Sequence, residues 1–578
     1  MPAPVLAQAE PDPPPAAATK APPKVKLSLE GLDGDLRKAA LRAIELRGLA
    51  QRQDAGEALI RRTHARASRQ IAKALEPFGY YHVKVSPSLA LEGPTWQARY
   101  RIELGEPTRV RAVDIVIDGP AAEHSKVKRA VQAFGLQQDA VFAHEIYEAG
   151  KAEILAVLLE QGFLDAQLET HKVRVRLAER SARIELRYQS GPRFRFGDTR
   201  FEGEPIDARV LRRYLPYRQG DQFRQDRLLR LQQRLLDADY FGLVDVVALR
   251  EEADAELRVP IVVRLKPARR TIYTGGVALG TDSGFGVRGG MQRRWVNALG
   301  HRYSLAADLS QRQILLSAQY VLPVIDDRSS QWILAGAYRD EETASSTLEA
   351  VTASVARQYE GDGWTFAPGV GVFSGDFVIG GESRSSQLLY PEVRWFRRLA
   401  DDPLDVREGW SVNAEARGGP KLGDGAAFAQ LRAEGRLIRP FGEQDRLLLR
   451  LSLGALWTDD FDRMPPTIRH FAGGDRSLRG FAFQELGPTN AAGQVIGGKY
   501  LSVGSVEYEH NFDAQWGMAV FADAGNAFND RADFDLATGL GVGLRWRSPV
   551  GPVRVDLARG SSEVDSGWRF HLVIGPDL

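Results

Sequence analysis

The sequence predicts two structural classes in one chain, namely three repeated α+β domains followed by an all-β part, a C-terminal transmembrane antiparallel β-barrel of about 16 strands. A pattern of helix, aromatic-glycine turn and strands occurs three times between residues 24 and 269. Near residue 270 the pattern changes to short alternating strands separated by Gly, Asp, Asn and Pro. A chain of 578 residues is also too long for a single ordinary core.

The composition argues against several classes of protein. Lys and Arg number 76 against 75 Asp and Glu, so the net charge of +1 gives no electrostatic attraction for nucleic acid, and we expect no such partner. Cys is absent, which excludes disulfides, thiol catalysis and Cys-ligated metals. No run of apolar residues is long enough for a transmembrane helix, whereas alternating strands are compatible with a barrel.

Residues 1–23 are predicted to be a disordered lead-in because residues 11–23 are rich in Pro and Ala. The segment Ala7-Gln8-Ala9 resembles the small-x-small end of a secretory signal. It is either the remnant of a signal peptide or an unrelated Ala-rich tail.

The three repeats predict small domains over residues 24–105, 106–190 and 191–269, each with helices covering a short sheet. Exposed edges of such sheets can pair with an incoming extended segment, or the domains can be rigid spacers. The aromatic-glycine turns that mark the repeats are Phe78-Gly79-Tyr80-Tyr81, Gly162-Phe163-Leu164 and Tyr240-Phe241-Gly242.

The barrel is predicted over residues 270–578. In residues 447–457 every odd position is apolar, while the even positions include Arg450, Ser452 and Gly454. Charged side chains on the inner face of a soluble sandwich would be costly, whereas a water-filled lumen accommodates them. About 300 residues at roughly 19 per strand and turn give about 16 strands.

Residues 458–499 form a long excursion between two strands, and a loop of this length is typically functional or disordered. Its glycines permit a tight path, and its arginine offers a planar fork of donors. The residues that make up this motif are Gly473, Gly474, Ser477, Arg479, Gly480 and Phe481.

The order of these motif residues resembles the family of outer-membrane barrels with POTRA domains, which includes BamA, TamA and the two-partner secretion transporters. A second family motif is matched by residues 521–525, Phe-Ala-Asp-Ala-Gly. The resemblance covers nearly the whole chain from Lys24, and it implies that the loop folds into the lumen, where Arg479 meets Glu507 and Asp523. Alternation along residues 518–525 also places Asp523 on the lumen face.

Three POTRA-like units are similar to TamA, since BamA normally has five and two-partner transporters have two. The resemblance implies an outer-membrane protein with periplasmic POTRA domains that dock a TamB-like, inner-membrane-anchored periplasmic protein. Its clients would be unfolded outer-membrane proteins of the β-barrel or autotransporter type, inserted or secreted into the lipid bilayer. The alternatives are a two-partner transport pore for one dedicated substrate, or phospholipid transport.

The first and last barrel strands must pair to close the barrel. The first strand contains several glycines, and glycine weakens a strand. We therefore predict a weak lateral seam between the first and last strands that could open towards lipid. Alternatively, the glycines fit the curvature of the barrel. The residues assigned to this seam are Gly275, Gly276, Val277, Gly280, Phe570, Leu572, Ile574 and Gly575.

We expect no catalytic residue, cofactor or metal site, and therefore no enzyme. Residues 284–289 satisfy a dinucleotide fingerprint, but no helix is predicted to follow them. The sequence contains neither a His-Glu-x-x-His zinc motif nor a Gly-x-Ser-x-Gly elbow, which argues against an outer-membrane hydrolase.

Overall fold

The computed structural model describes residues 24–49, 56–203, 205–325, 327–402, 405–422, 425–548, 551–562 and 567–574. The predicted lead-in and Gly575 lie outside these ranges. No helix within them is long and apolar enough to cross a membrane. Tertiary contacts divide the chain into two compact units: one contains the first two small sheets and part of the third, and the other contains the rest of the third and the large sheet.

In the part of the chain that the structure describes, three small sheets, each with three strands, precede the large sheet. In each of them the last strand along the chain lies in the centre. The strands of the first sheet are β1 (Lys24–Glu30), β2 (Lys84–Glu92) and β3 (Thr95–Glu103); those of the second are β4 (Arg109–Asp118), β5 (Gln167–Arg176) and β6 (Ser181–Gln189); those of the third are β7 (Arg195–Glu202), β8 (Phe241–Ala248) and β9 (Arg258–Pro267).

Helices accompany each small sheet because their apolar residues recur at helical spacing. In the longest helix, Ile60, Ala67, Ile71 and Leu75 are buried and belong to one core with Tyr100 of β3. The helices are α1 (Gly34–Ala43), α2 (Leu46–Leu49), α3 (Glu57–Leu75), α4 (Ser125–Gln132), α5 (His144–Glu160), α6 (Ala208–Arg212) and α7 (Gln225–Asp237).

The first two aromatic-glycine turns are points where one repeat joins the next. Gly79 and Gly162 have φ angles of +90° and +93°, which glycine adopts without Cβ strain. Their carbonyl oxygens accept hydrogen bonds from the N–H groups of Thr108 and Phe194, both at 2.8 Å. The repeated turn therefore connects successive repeats through the same backbone contact.

The third repeat differs at this turn. Its left-handed residue is Asp239, with φ of +63°, while Gly242 lies in β8. Aspartate tolerates this conformation better than most residues, and here its carboxylate pairs with Arg294 at 2.8 Å. The predicted glycine is therefore not the turn residue of the third repeat.

Within the described residues the large sheet contains 16 strands, each antiparallel to the next, in the order of the sequence. The predicted fold class, α+β repeats followed by a barrel of about 16 strands, is confirmed. The strands are β10 (Thr271–Gly280), β11 (Gly284–Arg293), β12 (Arg302–Ser310), β13 (Gln313–Pro323), β14 (Ser330–Glu342), β15 (Ser346–Gly361), β16 (Trp364–Ile379), β17 (Glu382–Ala400), β18 (Gly409–Gly419), β19 (Phe428–Phe441), β20 (Asp445–Thr458), β21 (Tyr500–Asn511), β22 (Trp516–Phe528), β23 (Ala537–Ser548), β24 (Gly551–Ser561) and β25 (Trp568–Ile574).

The two faces of this sheet differ in the way that alternation predicts. In β22, Met518 and Val520 are exposed, whereas Ala519, Phe521 and Asp523 at the alternate positions are buried. An apolar outer face in contact with lipid and a polar inner face are typical of membrane barrels. The inner face of the last strands is the surface on which the long loop lies.

Candidate functional site: the loop motif and the strand seam

The loop between β20 and β21 spans residues 459–499, and its backbone lies against glycines of the last strands. Gly480 has φ of +97°, and a Cβ there would lie 2.5 Å from the backbone nitrogen of Gly560 in β24. Conversely, a Cβ at Gly560 would lie 2.7 Å from the carbonyl oxygen of Gly480. Glycine at both positions permits this close backbone approach.

The other two motif glycines turn the loop before the arginine. Gly473 and Gly474 have φ angles of +98° and +105°, which favour glycine. A Cβ at Gly474 would lie 2.7 Å from a carboxylate oxygen of Asp282. The backbone N–H of Ser477 donates to the carbonyl oxygen of Gly474 at 3.1 Å, which closes the turn.

Arg479 is held in a buried, bidentate contact with Asp523. Its Nε and one terminal nitrogen donate to the two carboxylate oxygens at 2.8 and 2.9 Å, and its backbone N–H donates to Asp523 at 3.0 Å. Ser505 donates to the same carboxylate at 2.6 Å and accepts from Arg479 at 3.2 Å. The planar fork of arginine fits this geometry, whereas lysine would offer only a point charge.

The second terminal nitrogen of Arg479 bridges two further carboxylates. It donates to Glu507 at 2.6 Å and to Asp556 at 3.1 Å. The guanidinium carbon also lies 3.4 Å from the ring centroid of Phe521, a cation–π arrangement. Burial by itself lowers the pKa of Arg479, but the hydrogen bonds and charges of the carboxylates outweigh burial and raise the pKa.

A second arginine, Arg545, extends this cluster into a buried network. It pairs with Glu507 and Asp556 and donates to Glu509 at 2.9 Å, and Glu509 also pairs with Arg446. The side chains of all these residues are 7% exposed or less. Paired charges at this depth fix relative positions, because moving one group would leave another unpaired.

The structure brings together Arg479 with both predicted partners, Glu507 and Asp523. Sequence reasoning missed Asp556 and Arg545. Alternation provides a signal for Asp556, because Leu557, the next residue in β24, is 45% exposed on the outer face. The same reasoning applied to every late strand would have found the inward-facing charges.

Phe481 completes the motif by apolar packing. Its side chain is 1% exposed and belongs to one buried cluster. Burial of a phenylalanine side chain contributes about 1.5–3 kcal/mol, so this residue fixes the loop independently of the ion pairs. The buried residues of the cluster are Ala472, Leu478, Phe481, Leu486, Val503 and Ala537.

The seam between β10 and β25 differs from every other junction in the sheet. All other successive strands are joined by a backbone ladder, whereas the described residues of these two strands form none. The strands are nevertheless neighbours, because a Cβ at Gly280 would lie 3.8 Å from the carbonyl oxygen of Leu572. The N–H of Leu572 donates to the hydroxyl of Thr281 at 3.3 Å.

The remaining predicted seam residues lie on both strands. Gly275 and Gly276 in β10 have no atom within 4 Å of a Cβ position, and Val277 is 78% exposed. Phe570 and Ile574 are exposed on the outer face of β25. Gly575 lies outside the described residues.

Beside the seam, Asp282, Asp475 and His571 offer one ligand atom each, with all three atoms within 4.8 Å of one another. These atoms already serve hydrogen bonds. The imidazole of His571 faces Asp475 through Nδ1 at 2.6 Å and accepts from the N–H of Gly480 through Nε2 at 2.9 Å. The arrangement is therefore explained by hydrogen bonding between loop and strands.

Comparison with known proteins assigns families to three parts of the chain. Residues 281–577 match the Omp85 superfamily domain. Residues 26–104 match the POTRA domain described as TamA domain 1, and residues 194–268 match a POTRA model described as a surface antigen variable number repeat.

Two individual relatives have sequence identities of 25% and 16% to this chain. The outer membrane protein assembly factor BamA of Nitratidesulfovibrio vulgaris is 25% identical over 389 residues, which are 63% of this chain and 49% of that protein. The chain thus spans about half the length of this relative. A crystal structure of BamA from Haemophilus ducreyi lacking POTRA domains 1–3 has a TM-score of 0.70 at 16% identity, covering 81% of this chain and 99% of that one. The second likeness concerns the fold.

The chain is an outer-membrane barrel protein with periplasmic POTRA domains. Its three small sheets with their helices, its large antiparallel sheet, its arginine-anchored inner loop and the family matches together define this class. The superfamily model covers more than half of the chain. The chain therefore belongs to the Omp85 superfamily, whose members are assembly and transport factors.

Proposed function

We propose that this chain inserts or secretes β-barrel and autotransporter-type proteins at the outer membrane through the seam between β10 and β25. The observation that supports this proposal is that the described residues of the two strands form no backbone ladder, although the strands are neighbours. Unpaired backbone groups are costly in lipid, so an open edge there favours pairing with a client strand. The client then leaves sideways into the bilayer.

We further propose that the chain works as a TamA-type factor, whose periplasmic domains dock a TamB-like, inner-membrane-anchored protein. The match of residues 26–104 to a TamA POTRA model and the presence of three small sheets support this assignment. A photo-crosslinking residue at Leu91, which is 57% exposed in the edge strand β2, should give an adduct with a co-expressed partner of this kind. Failure of every edge strand of the three small sheets to crosslink, namely β1, β2, β4, β5, β7 and β8, would contradict docking by strand addition.

A disulfide across the seam tests insertion directly, since the natural chain contains no Cys. We choose Leu279→Cys with Leu572→Cys, because both positions belong to the outer face of their strands and the neighbouring Gly280 approaches Leu572 across the seam. In proteoliposomes, the oxidised protein should lose insertion of a urea-denatured barrel client, and reductant should restore it.

The matched control places the second cysteine on the laddered side of the same strand. Val555→Cys with Leu572→Cys joins β24 to β25, which are already paired in register at these residues. This disulfide should leave insertion unchanged. If the protein locked at Leu279 and Leu572 inserts clients at the normal rate, the seam is not the exit path.

A further inference from the structure

Four side chains from three distant parts of the chain form one hydrogen-bonded cluster at the seam, which we call the clasp. Thr281 and Asp282 lie in the turn that follows β10, Asp475 lies in the loop, and His571 lies in β25. None of these four residues belongs to the Arg479 network described above. The clasp is therefore a second, separate attachment of the loop.

Asp475 is the centre of the clasp. Its carboxylate accepts from the hydroxyl of Thr281 at 2.7 Å and faces Nδ1 of His571 at 2.6 Å, using the same oxygen. Its backbone N–H donates to the carboxylate of Asp282 at 2.8 Å. One loop residue thus contacts the end of the first strand and the inner face of the last.

His571 also joins the clasp to the loop motif. Because Nε2 accepts from the N–H of Gly480, the imidazole proton resides on Nδ1 and points towards Asp475. The side chain of His571 is 1% exposed, so water does not compete for these bonds. The last strand is thereby held at two points of the loop, Asp475 and Gly480.

We propose that the clasp, centred on Asp475, is the device that keeps β10 and β25 together in the resting protein, and that movement of the loop at this residue releases them. This inference rests on the proposed function of the seam. It assigns a positioning role to Asp475, Thr281 and His571, which act through the strands and need not touch the client.

The charges of the clasp suit a contact that has to be released. Burial and the nearby charge of Asp475 raise the pKa of the Asp282 carboxyl to about 6. Carboxylate oxygens of Asp282 and Asp475 lie within 4.8 Å of each other, whereas the Arg479 network pairs opposite charges. Repulsion between them offsets part of the hydrogen bonding, so a small displacement of the loop can separate the groups.

Spin labels on the outer face can report the distance between the two strands. Val277→Cys in β10 and Phe570→Cys in β25 provide exposed sites in a chain without native Cys. Pulsed dipolar spectroscopy on the full chain in lipid nanodiscs should give one short distance for the labelled parent. Asp475→Ala and Thr281→Val should each add a longer-distance population.

Two further variants separate the clasp from general disturbance of the loop. Asp475→Asn retains the backbone N–H and an acceptor oxygen for Thr281 and His571, so it should restore the short distance. Arg476→Ala removes the exposed neighbouring side chain and should leave the distance unchanged. Thr281→Val lies outside the loop, so it remains informative if Asp475→Ala folds poorly.

Identical distance distributions in the parent, Asp475→Ala and Thr281→Val would overturn the clasp. The seam itself is judged separately, by the disulfide between positions 279 and 572. If the clasp variants separate the labels while the locked protein still inserts clients, the clasp stands and the lateral exit path is wrong. If the lock abolishes insertion while the labels do not move, the exit path stands and the clasp is wrong.

Discussion

The loop is attached to the barrel wall in two places that differ in chemistry and in the strands they join. The Arg479 attachment pairs opposite charges and connects the loop to β21, β22 and β24, which already belong to a continuous ladder. The clasp at Asp475 uses single hydrogen bonds beside a pair of like charges. It connects the loop to β10 and β25, whose described residues share no ladder.

This difference separates two mechanical roles. The Arg479 network cannot close the barrel, because the strands it contacts are held by their own backbone bonds. It fixes the loop. The clasp spans the one junction that lacks a ladder in the described part of the chain. We therefore expect changes at Arg479 to alter stability strongly and changes in the clasp to alter the seam.

The largest loss of stability is expected for Arg479→Ala. Removing the guanidinium leaves Glu507, Asp523 and Asp556 as buried carboxylates with fewer partners, which costs about 3–5 kcal/mol in the free energy of unfolding. Urea unfolding of the protein in lipid vesicles, followed by tryptophan fluorescence, measures this loss. Arg479→Lys keeps the positive charge but not the planar fork of donors, so its stability should lie between those of the wild type and Arg479→Ala. A wild-type stability for Arg479→Ala would show that the network does not fix the loop.

A smaller loss is expected for Gly480→Ala. The added Cβ meets backbone of β24 at 2.5 Å, and φ of +97° is unfavourable for alanine, so the loop has to shift at a cost of about 1–3 kcal/mol. Gly435→Ala in β19 is the matched control, because no atom lies within 4 Å of its Cβ position. Equal stabilities for the two alanine variants would contradict the close contact between loop and wall.

The Arg479 attachment was largely predictable from the sequence. The motif identified the arginine, and the resemblance together with strand alternation placed Glu507 and Asp523 on the lumen side. Both predictions depend on the spacing of residues along the chain, because successive side chains of a strand alternate between its two faces. Asp556 and Arg545 obey the same alternation, but no motif directed attention to β23 and β24.

The clasp could not be predicted in the same way. Asp282 and Asp475 are 193 residues apart, and His571 follows 96 residues later, so their meeting depends on the spatial arrangement of the whole sheet from β10 to β25. No spacing rule connects a turn, a loop and a strand across such separations. The glycines of β10 predicted a weak seam, with barrel curvature as the alternative, but they did not predict which residue lies opposite Leu572.

Thr281→Val and Asp475→Ala should each lower the free energy of unfolding by about 2 kcal/mol, because each side chain takes part in two hydrogen bonds with a typical net value of about 1 kcal/mol. The two residues share one bond, so the double variant should lose less than the two single losses added together. The same vesicle unfolding assay measures all three variants. Strict additivity would mean that Thr281 and Asp475 do not act as one unit.

The smallest effect is expected for Glu485→Gln, which weakens a third contact between the loop and the last strand. Glu485 pairs with Arg569 at 3.3 Å, but the two side chains are 33% and 38% exposed. Exposed ion pairs contribute about 0.2–1 kcal/mol and are screened by salt, so the loss should disappear when the ionic strength is raised. The loss for Arg479→Ala should persist, because its partners are buried. Urea unfolding at low and high salt compares the two variants. A loss of stability for Glu485→Gln that persists at high salt would show that this ion pair, like the Arg479 network, holds the loop to the barrel wall without screening by solvent.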